Sequence, residues 1–240
     1  MGEVSKRIRF GIDVAGALAV VFIAVLMGWR AIQGAPPTVP PETKPVSSVP
    51  TELITLDDAF SIGNPSAPVT IVEYGDMECP ACLAFANDTF KALVAKHVDT
   101  GQVRFMFKHY PLTKHAMAKP AAVAAQCAGQ QGQFWPFYES VYAPGSKLSQ
   151  DSLRSVAKSL KLNLPQWQDC QKATVTAVVV ESQVDEARKL RLRATPAFLV
   201  GRSLNGAQLK ASSALYGARD LATFDDAISK AMKDLSEPKR

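Results

Sequence analysis

Val69-Thr70-Ile71-Val72-Glu73-Tyr74, an apolar and β-branched run, is separated by four residues from Cys79-Pro80-Ala81-Cys82, which opens a helix-compatible segment. Two thiols at a strand-to-helix junction read as a redox pair. At a helix N-terminus the first cysteine faces unpaired backbone N–H groups and the positive end of the dipole, which favour thiolate over thiol. The dipole supplies roughly 0.3–1 kcal/mol, less than the ~1.4 kcal/mol of one pKa unit, so local hydrogen bonds must add to it. A zinc site fits poorly, because Cys127 and Cys170 stand alone and His97, His109 and His115 lack ligand-like spacing with any cysteine. A metal-carrier role for the pair is the remaining bland alternative.

Outward from this stretch the pattern alternates strand and helix. Leu83, Ala86, Phe90, Leu93, Val94 and Val98 recur mostly at spacings of three and four, which predicts one continuous helix face. Val103 to Tyr110 alternates as a strand. A largely helical stretch follows from about Met117 to Leu190, with Pro136, Pro144 and Pro165 expected to divide it. Ala197-Phe198-Leu199-Val200, the hairpin signal Asn205-Gly206, a short strand around Leu209 to Tyr216 and an amphipathic helix from about Asp220 to Leu235 complete the pattern. The fold class is therefore α/β, a sheet interrupted by one helical block.

The chain has 240 residues, 47% of them apolar, enough for one domain of about 180 residues plus appendages. Its formal charge of +5 includes no basic run interleaved with aromatics, so nucleic acid is not an expected partner. Residues 10–29, Phe10 to Trp29, carry Asp13 as their only charge and approach the roughly 20 residues that cross a bilayer. Lys6, Arg7 and Arg9 precede them, so residues 1–9 are expected to stay cytoplasmic, 10–29 to be a transmembrane anchor, and the remainder to be exported. A cleaved signal peptide is the competing reading; Arg30 at once after the apolar run and the lack of an A-x-A-like site after it argue against that. Residues 30–51 are rich in proline and form a spacer, semi-rigid or merely disordered.

Gly63-Asn64-Pro65-Ser66-Ala67-Pro68 before the strand, Cys79-Pro80-Ala81-Cys82, His109-Tyr110-Pro111-Leu112, Gly132-Gln133-Phe134-Trp135 and Ala194-Thr195-Pro196-Ala197-Phe198 occur in an order that resembles the DsbA-like branch of the thioredoxin superfamily. The resemblance covers residues 52–236 and implies a thioredoxin fold with a helical insertion at about 117–190. It implies a thiol–disulfide oxidoreductase working outside the cytoplasm, which the expected anchor would hold on the periplasmic side of the inner or cytoplasmic membrane. Such a protein needs no cofactor, acts as a monomer on unfolded or reduced exported proteins, and is recycled by a membrane redox partner. A disulfide isomerase or reductase of the same chemistry, or a non-enzymatic copper- or partner-binding module, are the alternatives.

Carried onto this sequence, the resemblance makes Cys79 the attacking thiolate and Cys82 the shielded resolving thiol. Glu73 falls where the superfamily places a buried acid beneath the pair, able to take the Cys82 proton; pairing with a lysine is its alternative. Thr195-Pro196 matches a cis-proline loop set against the cysteines, where backbone can pair with an extended substrate strand; an ordinary trans turn is the alternative. Ala81 departs from strong oxidases of the branch, which carry histidine there, so the pair is expected to be a milder oxidant. Asp76 and Glu78 either push the same way or are solvated loop acids. Cys127 and Cys170 are expected to form a disulfide, as export favours, closing a loop of about 43 residues. Two free buried thiols and an auxiliary redox pair are the other possibilities. His109 and His115 read as hydrogen-bonded surface residues, and Phe134, Trp135, Phe137 and Tyr138 as insertion core or the wall of an apolar groove.

Overall fold

The computed structural model describes residues 49–236. The expected anchor at 10–29 and nearly all of the spacer lie outside the described residues, among which no helix is long and apolar enough to cross a membrane.

Six strands form one sheet: β1 (Ile54–Thr55), β2 (Phe60–Ile62), β3 (Val69–Gly75), β4 (Val103–His109), β5 (Ala197–Leu204) and β6 (Gln208–Tyr216). Their order is β1-β6-β5-β3-β4-β2. β3 runs parallel to β4 and antiparallel to β5, so the strand that leads to the cysteines is central and buried along its whole length. A strand buried on both faces needs a continuous apolar run, which explains why Val69 to Tyr74 does not alternate. The β5–β6 hairpin turns at Asn205 and Gly206, with φ of 53° and 70°, the left-handed pair that a tight type I′ turn requires. β1 and β2 escape a reading by periodicity because two or three residues carry no period; the sheet edge recruits them, Ile54 opposite Leu209 and Phe60 opposite Phe107.

After the cysteines the chain forms α1 (Pro80–Asp88), α2 (Phe90–Leu93) and a π-helical turn (Val94–Val98) rather than one helix. The break is at Thr89, whose backbone leaves the helical region at φ −120° and whose hydroxyl donates to Arg219 O at 2.8 Å. A contact 130 residues away thus overrides a local period. The insertion holds α3 (Ala118–Gly129), α4 (Phe134–Val141), α5 (Gln150–Ser159), α6 (Leu164–Lys172) and α7 (Thr174–Lys189), and α8 (Leu221–Ser236) closes the described chain. Pro144 and Pro165 fall at helix boundaries as expected, but Pro136 sits inside the first turn of α4, where a missing N–H costs nothing. The division there comes instead at Gly132, φ 74°.

Alternation splits the core in two. Val69, Ile71, Phe105, Phe107, Phe198 and Val200 face α1, α8 and much of the insertion. Val72, Tyr74, Met106 and Leu199 face the opposite side, with Ala187, Leu190 and Leu192. On the first side Phe85 is fully buried between Phe198 and Phe224, ring centroids 4.5 and 5.5 Å away. Such burial contributes about 1.5–3 kcal/mol per side chain and pins α1, and with it the cysteines, to the sheet.

Candidate active site

Cys79 is the N-cap of α1 and makes no side-chain cap bond, and Pro80 follows at the first helical position, where its fixed φ suits the turn. The two cysteines are free thiols. Cys82, one turn in, is fully buried, and its sulfur accepts from the Asp76 N–H at 3.5 Å. Cys79 is only 7% accessible, more closed than a solvent-facing helix start suggests. Its cover is the Thr195-Pro196 loop, which is cis, and its thiol donates to Thr195 O at 3.3 Å.

The surroundings separate the two thiols. The Cys82 thiol, aided by Thr195 and the N–H groups of Cys82 and Ala81, outweighs burial and lowers Cys79 to about 5. Burial pushes Cys82 well above its ordinary value, and its bond to Cys79 and the nearby Glu73 charge add to the rise. At neutral pH the outer sulfur is therefore the nucleophile and the inner one a thiol.

Glu73 lies fully buried on the same side, its strand partner being Phe107. Among the described residues no lysine pairs with it; Lys108 points to the other face and pairs with Asp58 and Glu186. Instead the Tyr138 hydroxyl donates to Glu73 Oε2 at 3.2 Å. Burial raises this carboxyl to about 8, against the Tyr138 hydrogen bond and with help from charge on Cys79. Gly75 makes room for it: a Cβ there would meet the Phe107 ring at 2.3 Å and Glu73 Oε1 at 3.0 Å.

Several expectations need correction. Asp76 is not a solvated loop acid; it is 1% exposed, and its carboxylate gathers the N–H groups of Glu78 and Leu112 at 2.8 and 2.9 Å and His115 Nδ1 at 2.7 Å. Glu78 accepts from the Met117 N–H. Both carboxylates are thus spent on fastening the cysteine loop to the segment after β4. His109 is not a surface residue either: it is buried among Phe60, Phe107 and Phe134, and burial, partly offset by Gln126 and Asp58, lowers it to about 4. Phe134 stacks on Phe60 at 4.0 Å as core, and Trp135 Nε1 donates to Ser61 O. A cleft does open beside α1, lined by Ala86, Phe90, Tyr138, Tyr142 and Leu160, without Phe134 or Trp135. Cys127 and Cys170 form a disulfide that ties α3 to α6. The site residues missed by sequence reasoning are Tyr138 in its contact with Glu73 and Tyr142, whose hydroxyl donates to Asp76 O at 2.9 Å. Their spacing of four, Tyr138 on α4 and Tyr142 just past its end, was the available signal.

Comparison with known proteins accords with this geometry. The first curated relative is Na(+)/H(+) antiporter NhaA 1 of Salinispora arenicola, 36% identical over 146 residues, 60% of this chain but only 22% of that protein. The chain thus spans about a fifth of that relative's length. Probable disulfide bond formation protein D of Bacillus cereus is 27% identical over 161 residues, 64% of this chain and 74% of that one. Among solved structures, alpha-DsbA1 of Wolbachia pipientis superposes with a TM-score of 0.65 at 22% identity, covering 76% of this chain and 97% of that one, a shared DsbA-type fold. The family model described as thioredoxin matches residues 55–214, from β1 through most of β6 and with both free cysteines inside, and the chain belongs to that family.

Proposed function

We propose that the protein is a thiol–disulfide oxidoreductase that exchanges disulfides with exported proteins through Cys79 and Cys82. The observation that carries this reading is the contrast between the two thiols: an outer one lowered to about 5 beneath the Thr195-Pro196 loop, and a buried one raised well above its ordinary value. A substrate thiolate attacks Cys79 of the oxidised pair, the Cys79–Cys82 bond breaks, and Cys82 leaves as thiolate and is protonated. A second substrate thiolate then displaces Cys79, which departs readily because its anion is stabilised. A stabilised thiolate favours the reduced enzyme and hence the donation of disulfides. Ala81 supplies no side-chain donor, which keeps the poise milder. The name of the Bacillus relative supports the same chemistry.

The placement we infer is extracytoplasmic, with residues 10–29 as a single-pass anchor and a membrane redox partner that reoxidises the pair; the basic residues before that apolar run support it. The test is redox equilibration of the reduced full chain with glutathione, together with alkylation across pH. Cys79 alone should react at pH 6, and the potential should lie between about −270 and −120 mV, the values of thioredoxin and DsbA. Equal, slow labelling of both cysteines overturns the reading.

A further inference from the structure

The two oxygens of the buried Glu73 carboxyl stand in unlike settings. Oε2 accepts from the Tyr138 hydroxyl, whereas Oε1 has no hydrogen-bond partner among the described residues. Oε1 also lies toward Gly75, the end of β3, and the next residue, Asp76, gives its N–H to the Cys82 sulfur. We propose that Tyr138 is a positioning residue for disulfide exchange: by holding Oε2 it leaves Oε1 as the oxygen that gives and takes the Cys82 proton.

This rests on the oxidoreductase reading above. As the substrate thiolate bonds to Cys79 and the Cys79–Cys82 bond breaks, Cys82 departs with the electron pair and takes the proton from Oε1. In reverse, the carboxylate takes that proton through Oε1 while the Cys82 sulfur bonds to Cys79 and displaces the substrate thiolate. A carboxyl that titrates at about 8 can do both near neutral pH. The polar groups around it are Cys79 at the N-cap of α1, Cys82 within that helix, Tyr138 on α4 and Tyr142 just past its end; β4 presents Phe107, with the neutral His109 behind it. Tyr138 is thus the neighbour that holds the carboxyl by a direct side-chain bond. Its ring packs on Phe107 and Tyr142, so a phenylalanine preserves the packing and removes only the hydroxyl.

The experiment follows exchange between the full chain and a small dithiol from pH 5 to 10 in the parent, Tyr138→Phe and Glu73→Gln. Loss of the hydroxyl removes a donor to the anion, so the limb near pH 8 should move up by roughly one unit in Tyr138→Phe. Glu73→Gln should lack that limb, and Cys79 alkylation should keep its midpoint near pH 5 in both. A limb that stays in place in Tyr138→Phe, even with a lowered melting temperature, means that the tyrosine is only packing and overturns the proposal. Persistence of the limb in Glu73→Gln overturns it equally. No exchange by the parent instead removes the oxidoreductase reading beneath it.

Discussion

Glu73 and Lys108 sit on the paired strands β3 and β4, both with side chains closed to water, and the two faces of the sheet treat them differently. Lys108, level with Tyr74, meets Asp58 and Glu186, and the Tyr74 hydroxyl also donates to Glu186 at 2.8 Å. Glu73, level with Phe107, meets one phenol and, among the described residues, no counter-ion. A buried charge given its counter-ions becomes a structural clasp. A buried acid denied one keeps its proton at neutral pH and becomes a group that can trade it. The face with the clasp holds α7 to the sheet; the face without it holds the cysteines.

The largest effect should come from breaking the clasp. Asp58→Asn combined with Glu186→Gln leaves the Lys108 ammonium buried without a counter-ion and should cost about 3–5 kcal/mol, read from the urea midpoint at constant slope. A loss under ~1 kcal/mol would make the pair a screened surface contact. Opening the other face comes next: replacing Cys127 and Cys170 with alanine releases α3 from α6 and should cost about 2–4 kcal/mol, while Cys79 still titrates near pH 5. A shift of Cys79 reactivity in that variant would show that the insertion disulfide, not the local donors, sets the thiolate.

The effect of Glu73 is the smallest per pH unit, although it accumulates over several units. Its folded value of about 8 exceeds the ordinary 4.5, so the folded state holds a proton the unfolded state has lost. Stability should therefore be full below pH 4.5, fall as pH rises toward 8, and level off above it, by at most ~1.4 kcal/mol per unit. Glu73→Gln should flatten that slope and cost little at pH 6. Equal slopes in parent and variant would place the titration elsewhere.

The parts legible in the sequence were those that local chemistry decides. The β-branched run of β3, the Asn205-Gly206 turn and the cysteine pair at a helix start each carry their cause within a few residues. The illegible parts depend on distant partners. Thr89 interrupts a well-formed apolar period because its hydroxyl donates a hydrogen bond to the backbone carbonyl of Arg219. Asp76 looks like a loop acid until the segment after β4 folds over it and brings Leu112 and His115. His109 reads as polar surface because nothing nearby announces that Phe60 and Phe134 will enclose it. Glu73 could be placed under the cysteines by resemblance, but its tether stands 65 positions away on the insertion.

Gly75 bears on how this site can change over generations. A methyl group there would overlap the Phe107 ring and press on the Glu73 carboxyl, so a larger residue becomes tolerable only if position 107 shrinks as well. Substitutions at positions 75 and 107 are thus coupled, and the intermediate with a larger residue at 75 alone carries a clash next to the buried carboxyl. Position 81, on a helix edge that is only partly buried, is bound by no such pairing. Lineages can therefore retune the strength of the thiolate by single steps at Ala81, while the floor beneath the carboxyl at Gly75 can change only together with position 107.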